Sequence, residues 1–305
     1  MNIPITQSVA WHRLQGDLSE KSWLETGNNF HYLAILKHTP AGNYLYCPYG
    51  PCYDDQSGFE EALDSLKKLA KEQNAIFIRI EPQDPKFKEY ALKSAKKSKD
   101  LNPKETWLLD LTGKGDDLKA KLPSRLLRYY RGAEKKGITI ETSHNPEDIK
   151  HLLKLQKALA SEKGISTFSE DYLKTELKQP FATLYLVKQE GNIIAAGLVF
   201  DDDTTRYNLQ GAQTDEGRKL HATGILTIQL ILDAKAKELK LFDFWGIAPE
   251  GAGPDHPWAG FTNFKKTFAG FEQDYAGDYD IILSPTKYKL YQASRKINRY
   301  IRRNK

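Results

Sequence analysis

Cysteine is scarce in this chain of 305 residues: Cys47 and Cys52 are the only two, five positions apart around Pro48-Tyr-Gly-Pro51. With no second ligand pair beside them, they read as reduced thiols rather than a disulfide or a metal site. No metal and no cofactor are assigned. Long apolar runs are also missing, since no uninterrupted stretch approaches the roughly 20 residues that cross a bilayer. The start, Met1-Asn-Ile-Pro-Ile-Thr, lacks the basic head and apolar middle of a signal peptide, so a cytoplasmic location is expected. No Ser-His-Asp or Cys-His order is evident, which argues against a covalent nucleophile. Acid is absent from the last stretch: Lys287 to Lys305 carries eight Lys/Arg and no Asp or Glu. That segment is a local cation, readable as an anion contact or as a solvated face of a helix packed through Leu290, Ser294, Ile297 and Ile301.

What is present describes a globular protein, with 40% hydrophobic and 28% charged residues, a net charge of +5, and room for two domains. Trp11 and Trp23 flank a stretch that reads as a helix end entering a loop. Phe30–Leu36 and Tyr44–Tyr46 read as strands joined by His38-Thr-Pro-Ala-Gly-Asn43, followed by a helix at Phe59–Gln73 and a strand at Ala75–Ile80 closed by Pro82. The same order returns later. Thr183–Lys188, Ile193–Phe200 and Thr205–Gln210 are followed by a helix from His221 to about Glu238 and a strand from Leu239 to Trp245. A repeated hairpin, helix and strand predicts two similar α/β halves. Between them, Lys93–Lys104 reads as an exposed loop. A helix around Leu118–Lys136, bent at Pro123, would carry an apolar stripe and a basic one of Lys121, Arg125, Arg128 and Lys135.

The densest signal is Phe242–Gly270. A hydrophobic strand ends at Trp245-Gly246 and a Gly/Pro loop runs through His256. Phe261, Phe264 and Phe268 then recur at a spacing that predicts three rings on one helical stripe beside Lys265 and Lys266. In folds that alternate strands and helices, chemistry gathers at the carboxyl ends of strands.

This region, with Asp243, Gly246, Phe264, Lys265, Phe268 and Gly270, resembles the signature of the FemABX family of aminoacyl-tRNA-dependent peptidyltransferases. Similar stretches recur in order at Gln7–Trp11, Tyr46–Pro51, Phe77–Pro82, Thr106–Leu111 and Arg125–Gly137. The resemblance implies a mixed α/β fold of two acetyltransferase-like domains with a cleft between them. Residues 1–104 with 277–305 would form the first domain, and residues 105–276 the second. Tyr279–Leu283 and the basic helix would return to the first. The coiled-coil arm of larger members has no counterpart between Pro146 and Phe181.

The implied reaction is attack of a stem-peptide amine on the ester of an aminoacyl-tRNA, using a UDP-linked (UDP-MurNAc-peptide) or lipid-linked peptidoglycan precursor. By motif, Lys265 would act electrostatically on the oxyanion and Phe264 would supply an apolar wall. Arg13, in a Trp-x-basic pattern with Trp11, would hold the precursor's diphosphate. Tyr49, Arg79, Tyr207, Gln210 and Arg218 are further substrate-binding candidates. Arg125, Arg128, Arg295, Arg299, Arg302 and Arg303 are candidates for tRNA or for the inner face of the plasma membrane. A monomer is expected. The family's phosphate-binding arginine at the strand entering the second domain is missing, because Thr183-Leu-Tyr-Leu-Val187 offers none.

Two other readings stay open. An acyl-CoA-dependent N-acyltransferase of the same fold would need an Arg/Gln-x-x-Gly-x-Gly/Ala turn, and Gln213-Thr-Asp-Glu-Gly-Arg-Lys-Leu-His-Ala222 does not fit it. A non-catalytic RNA- or membrane-surface-binding protein would use the basic faces but leave Phe264-Lys265 unexplained.

Overall fold

The computed structural model describes residues 1, 3–88, 95–113, 115–163 and 167–303, the side chains of 86, 88, 116, 161–163 and 297–303 excepted. The chain divides into two compact units, residues 1–104 with 274–305 and residues 105–273.

Unit 1 opens with α1 (Val9–Asp17), started by Ser8, whose hydroxyl accepts the Trp11 amide at 3.1 Å. Trp11 lies in the first helical turn, and the polar stretch that follows it, His12–Gly16, runs to the helix end at Asp17. Strands β1 (Ser22–Thr26), β2 (Phe30–Lys37), β3 (Asn43–Cys47) and β4 (Cys52–Tyr53) precede α2 (Gln56–Glu72), β5 (Ala75–Ile80) and β6 (Ala95–Lys97). The last two elements of the chain, β14 (Tyr279–Ile282) and α10 (Pro285–Arg303), complete the unit. Its sheet runs β1-β2-β3-β5-β14-β6, with β4 on β2; β3 and β5 are parallel and the other pairs antiparallel.

Both faces of this sheet are covered, which is why β2 reads as an almost unbroken apolar run. Phe59, Leu63, Leu66 and Ala70 of α2 pack on one face with Tyr32, Leu45 and Ile78. On the other, Tyr288 and Tyr291 of α10 pack against Phe77. The expected exposed loop at Lys93–Lys104 departs from the reading. Ala95–Lys97 forms β6 because β14 offers it an open edge, while Lys93 and Ser94 lie outside the described residues.

Unit 2 contains β7 (Glu105–Asp110), α3 (Gly115–Lys121), α4 (Ser124–Arg131), β8 (Ile138–Ser143), α5 (Ile149–Lys163), α6 (Glu170–Leu177), β9 (Ala182–Gln189) and β10 (Asn192–Asp201). It continues with β11 (Thr205–Gln213), α7 (Asp215–Lys219), α8 (Ala222–Ala236), β12 (Leu241–Gly246), α9 (Ala259–Lys265) and β13 (Phe271–Asp274). The strands are ordered β13-β7-β12-β11-β10-β9-β8, with β11 and β12 parallel. Helix α8 is buried along most of its length, consistent with its apolar residues occupying all sides.

The helix expected over Leu118–Lys136 is two helices, α3 and α4. Pro123 lacks an amide and cannot continue a helical ladder, so it is a break and not a bend. The three-ring stripe is also shorter than its spacing suggests. Helix α9 stops at Lys265, Phe261 is exposed, and Phe268 lies past the helix end, packed on Phe244 and Phe264 at 4.8 and 5.6 Å between ring centroids. The chain turns there because Gly270 passes against the Leu108 carbonyl and the Trp107 ring, where a Cβ would not fit.

Candidate active site

The centre of unit 2 is a defect in a strand pair. Asp243 of β12 faces Leu108 of β7 and Gly246 faces Thr106, so three steps on β12 span two on β7. The extra residue makes a β-bulge, and Trp245 takes a left-handed conformation at φ 66°. Asp243 holds the bulge: its carboxylate accepts the Trp245 amide at 2.7 Å and the Thr106 hydroxyl. On a regular strand, successive carbonyls point to opposite edges. Here the carbonyls of Trp245 and Gly246 both reach the Lys265 ammonium, at 3.3 and 2.6 Å.

Two of the three Lys265 N–H groups are thus committed to backbone, and one remains. Burial pushes the ammonium down to about 8, with Asp243 pulling the other way. Burial likewise raises the Asp243 carboxyl to about 6, against the Thr106 and Trp245 hydrogen bonds and the Lys265 charge. At neutral pH both groups are therefore mainly charged. Phe264, one residue earlier, packs against the core beneath. The Gly/Pro loop is pinned at its ends: Thr262 Oγ1 accepts the Ala248 amide at 2.8 Å and donates to Trp258 O at 2.9 Å, and His256 Nδ1 accepts the Trp258 amide at 3.1 Å.

Among the substrate-binding candidates of this unit, Tyr207 comes to the bulge, its ring edge-on to Trp245 at 6.3 Å and its hydroxyl on Asp202 at 2.7 Å. A second bulge, between Leu198 and Val199, keeps Tyr207 and Gln210 on one face of β11. Gln210 accepts from Gln156 Nε2 at 2.9 Å. Arg218 stands apart, exposed and paired to Asp215 within α7.

In unit 1, Arg13 is exposed on α1 and Trp11 is half-buried. Tyr49 and Arg79 do structural work. The Tyr49 amide donates to Glu81 and its hydroxyl to Pro103 O. Arg79 is 1% exposed and forks onto Asp280 at 2.7 and 2.8 Å, with a third bond to Ser98. This engagement arises because β14 brings Asp280 opposite Arg79.

The basic helix face is more organised than a charge run implies. The His221 ring stacks on Tyr129 at 4.0 Å, and Arg125, Arg128 and Lys136 lie 5.6, 5.8 and 6.0 Å from the same ring. Tyr129 and His221 were not legible as partners, since neighbouring helices supply them. Arg295 is half-buried on α10; the side chains of Arg299, Arg302 and Arg303 lie outside the described residues. No helix among the described residues is long and apolar enough to cross a membrane, and no metal-binding cluster occurs among them.

Two mixed sheets of this kind define a tandem acyltransferase-like architecture, and solved structures share it. FemX aligns over 94% of each chain at 18% identity with a TM-score of 0.81. L-PGS from Bacillus licheniformis aligns over 98% of this chain and 99% of its own, at 14% identity and a TM-score of 0.58. A tandem GNAT protein from the clavulanic acid biosynthesis pathway aligns over 87% and 83%, at 13% identity and 0.51. These likenesses concern the fold. No curated protein matches the sequence. The FemAB family model matches residues 181–296, a stretch that contains the Asp243 bulge and Lys265. Over that stretch the chain is similar to the FemAB family, the likeness its sequence motifs pointed to.

Proposed function

We propose that this protein transfers an amino acid from aminoacyl-tRNA to an amine on the stem peptide of a peptidoglycan precursor, forming an interpeptide bridge. The observation that carries the reading is the Lys265 ammonium, held by two converging carbonyls inside the FemAB-matched segment with one N–H uncommitted.

In the reaction the neutral amine attacks the ester carbonyl, an oxyanion forms, and its collapse expels the ribose hydroxyl, which takes up the proton lost by the amine. Lys265 donates its remaining N–H to the oxyanion, in a buried setting where one such donor has a large effect. Phe264 supplies the apolar wall, and Tyr207 with Gln210 lines the face of β11 beside the bulge. Arg13, exposed and next but one to Trp11, takes the precursor's diphosphate, a role supported by its Trp-x-basic pattern and its exposure on α1. Arg79 and Tyr49 act indirectly, holding the strand ends of unit 1. Arg125 and Arg128, grouped with Tyr129 and His221, suit the sugar-phosphate and base of a single-stranded tRNA end, which such proteins hold by cations and stacking rings. A lipid-linked precursor would bring the basic α10 to a membrane surface; a soluble one would not require it.

Transfer of label from tRNA charged with a radioactive amino acid to the precursor tests the proposal. It should occur with intact charged tRNA and vanish when the tRNA is digested with ribonuclease first. Label transfer that survives digestion, or none with any charged tRNA, overturns it.

A further inference from the structure

Unit 1 contains a cavity of about 450 Å³ whose walls come from the β2–β3 connection, β5 and α10. It brings together Lys37, Tyr44, Arg79, Tyr291 and Arg295, with Glu20 at one side. These residues are scattered from position 20 to position 295, and the packing of α10 on Phe77 and Tyr44 is what assembles them.

The polar groups differ in how far they are committed. Arg79 forms the floor and is fully engaged by Asp280 and Ser98, so its charge is largely offset. Among the described residues Arg295 has a neutral partner alone, donating to the Tyr291 hydroxyl at 3.2 Å with its guanidinium 5.8 Å from that ring. Lys37 meets Glu20 at 3.2 Å, with both side chains about one-third exposed, which is a weak, screened pair. The Tyr44 hydroxyl makes no hydrogen bond among the described residues, although its ring is stacked on Phe77 at 4.6 Å. The cavity thus presents two under-neutralised cations and a neutral donor, held apart by a rigid aromatic stack. Lys287, Lys289 and Lys296 of the acid-free α10 add to the local positive potential.

We propose that this cavity is a binding site for a phosphate-bearing anion, with Arg295 and Lys37 as charged contacts and Tyr44 as a hydroxyl donor. Arg and Lys beside a hydroxyl are the donors that match a phosphate's several acceptor oxygens. Glu20 opposes the anion and competes for Lys37, so binding requires Lys37 to exchange Glu20 for the ligand. The site stands independently of the transfer reaction proposed above, and its test needs no activity assay.

Pyrophosphate, titrated into the full chain at low salt and followed by calorimetry, is the probe. One saturable site is expected. Arg295→Gln and Lys37→Met should each weaken it roughly tenfold or more, the effect of losing one hydrogen bond to a charged group. Glu20→Gln should tighten it, a gain that a merely structural role for Glu20 does not produce. Near-ultraviolet circular dichroism confirms that each variant is folded. Two sources of the phosphate are separated with phosphatidylglycerol vesicles: sedimentation that pyrophosphate abolishes identifies a lipid headgroup, and pyrophosphate binding without vesicle sedimentation identifies a soluble ligand. The proposal is overturned by the absence of saturable pyrophosphate binding, by equal affinity in Arg295→Gln, Lys37→Met and parent, or by weaker binding in Glu20→Gln.

Discussion

Replacing Lys265 by methionine removes the ammonium while keeping an unbranched side chain of similar length. The Nζ offers three N–H groups; the Gly246 and Trp245 carbonyls take two, at 2.6 and 3.3 Å, leaving a single donor for a developing oxyanion. Loss of one such donor lowers kcat by about 10²–10³, or roughly 3–4 kcal/mol in the barrier. KM for the precursor should change little, because the interaction forms mainly in the transition state. The same substitution strands two carbonyls at the Trp245 bulge, with a stability cost of about 1–3 kcal/mol. Thermal melting is therefore recorded beside steady-state rates, so that a folded, slow variant is distinguished from an unfolded one. The pH profile separates two roles for the same residue. An ammonium acting on an oxyanion works while protonated, so its contribution falls as pH rises through about 8. Lys265→Arg, which stays charged, should lose that alkaline fall in whatever activity remains. A kcat equal to the parent's in Lys265→Met refutes the reasoning, and a rate that climbs through pH 8 in the parent but not in Lys265→Arg indicates a general base instead.

Arg13→Ala should raise KM for the precursor and leave kcat near its starting value, since a remote diphosphate contact stabilises ground and transition states alike; steady-state kinetics showing a fall in kcat alone would remove Arg13 from the precursor site. Reversing Arg125 and Arg128 to glutamate should weaken charged-tRNA binding and flatten its salt dependence by about 1.5 in the log–log slope, measured by filter binding, because two phosphate neutralisations are lost. Unchanged binding and slope would return this face to solvent. Glu81 and Asp278 form a buried acid pair: burial raises both, and the Glu81 charge and hydrogen bond raise Asp278 further, to about 9, so the pair keeps a proton at neutral pH. The folded state then binds more protons than the unfolded one above the ordinary carboxylate range. Stability should accordingly fall with rising pH, by up to about 1.4 kcal/mol per pH unit for one proton. Asp278→Asn should flatten that decline in denaturant titrations from pH 5 to pH 9, and an undiminished slope would contradict it.

The sequence was most legible where side-chain pattern alone decides structure. Helix α2 and strands β5, β9 and β10 all appear close to where the pattern puts them. Reading failed where a neighbour decides. Pro123 reads as a bend, yet it separates α3 from α4 because it has no amide with which to continue the helical ladder. Phe261 matches the apolar spacing but is exposed, since α9 is too short to present three turns to one core. At the site, Lys265 was found through motif, but its tether to two carbonyls depends on a bulge and on the left-handed Trp245, and neither leaves a trace in composition or period. Arg79 is a substrate-binding candidate in the sequence, and its engagement by Asp280 is not legible there because Asp280 lies 201 residues later on a strand that returns to the same sheet.

The central claim is the chemical identity of the group transferred. A single reaction containing the full chain, precursor, a pool of charged tRNAs and acetyl-CoA, analysed by intact-mass spectrometry, tests it directly. The account predicts that the precursor gains the mass of one amino-acid residue and that the gain is strongly reduced with Lys265→Met. A gain of one acetyl group, or an unchanged precursor, would contradict it.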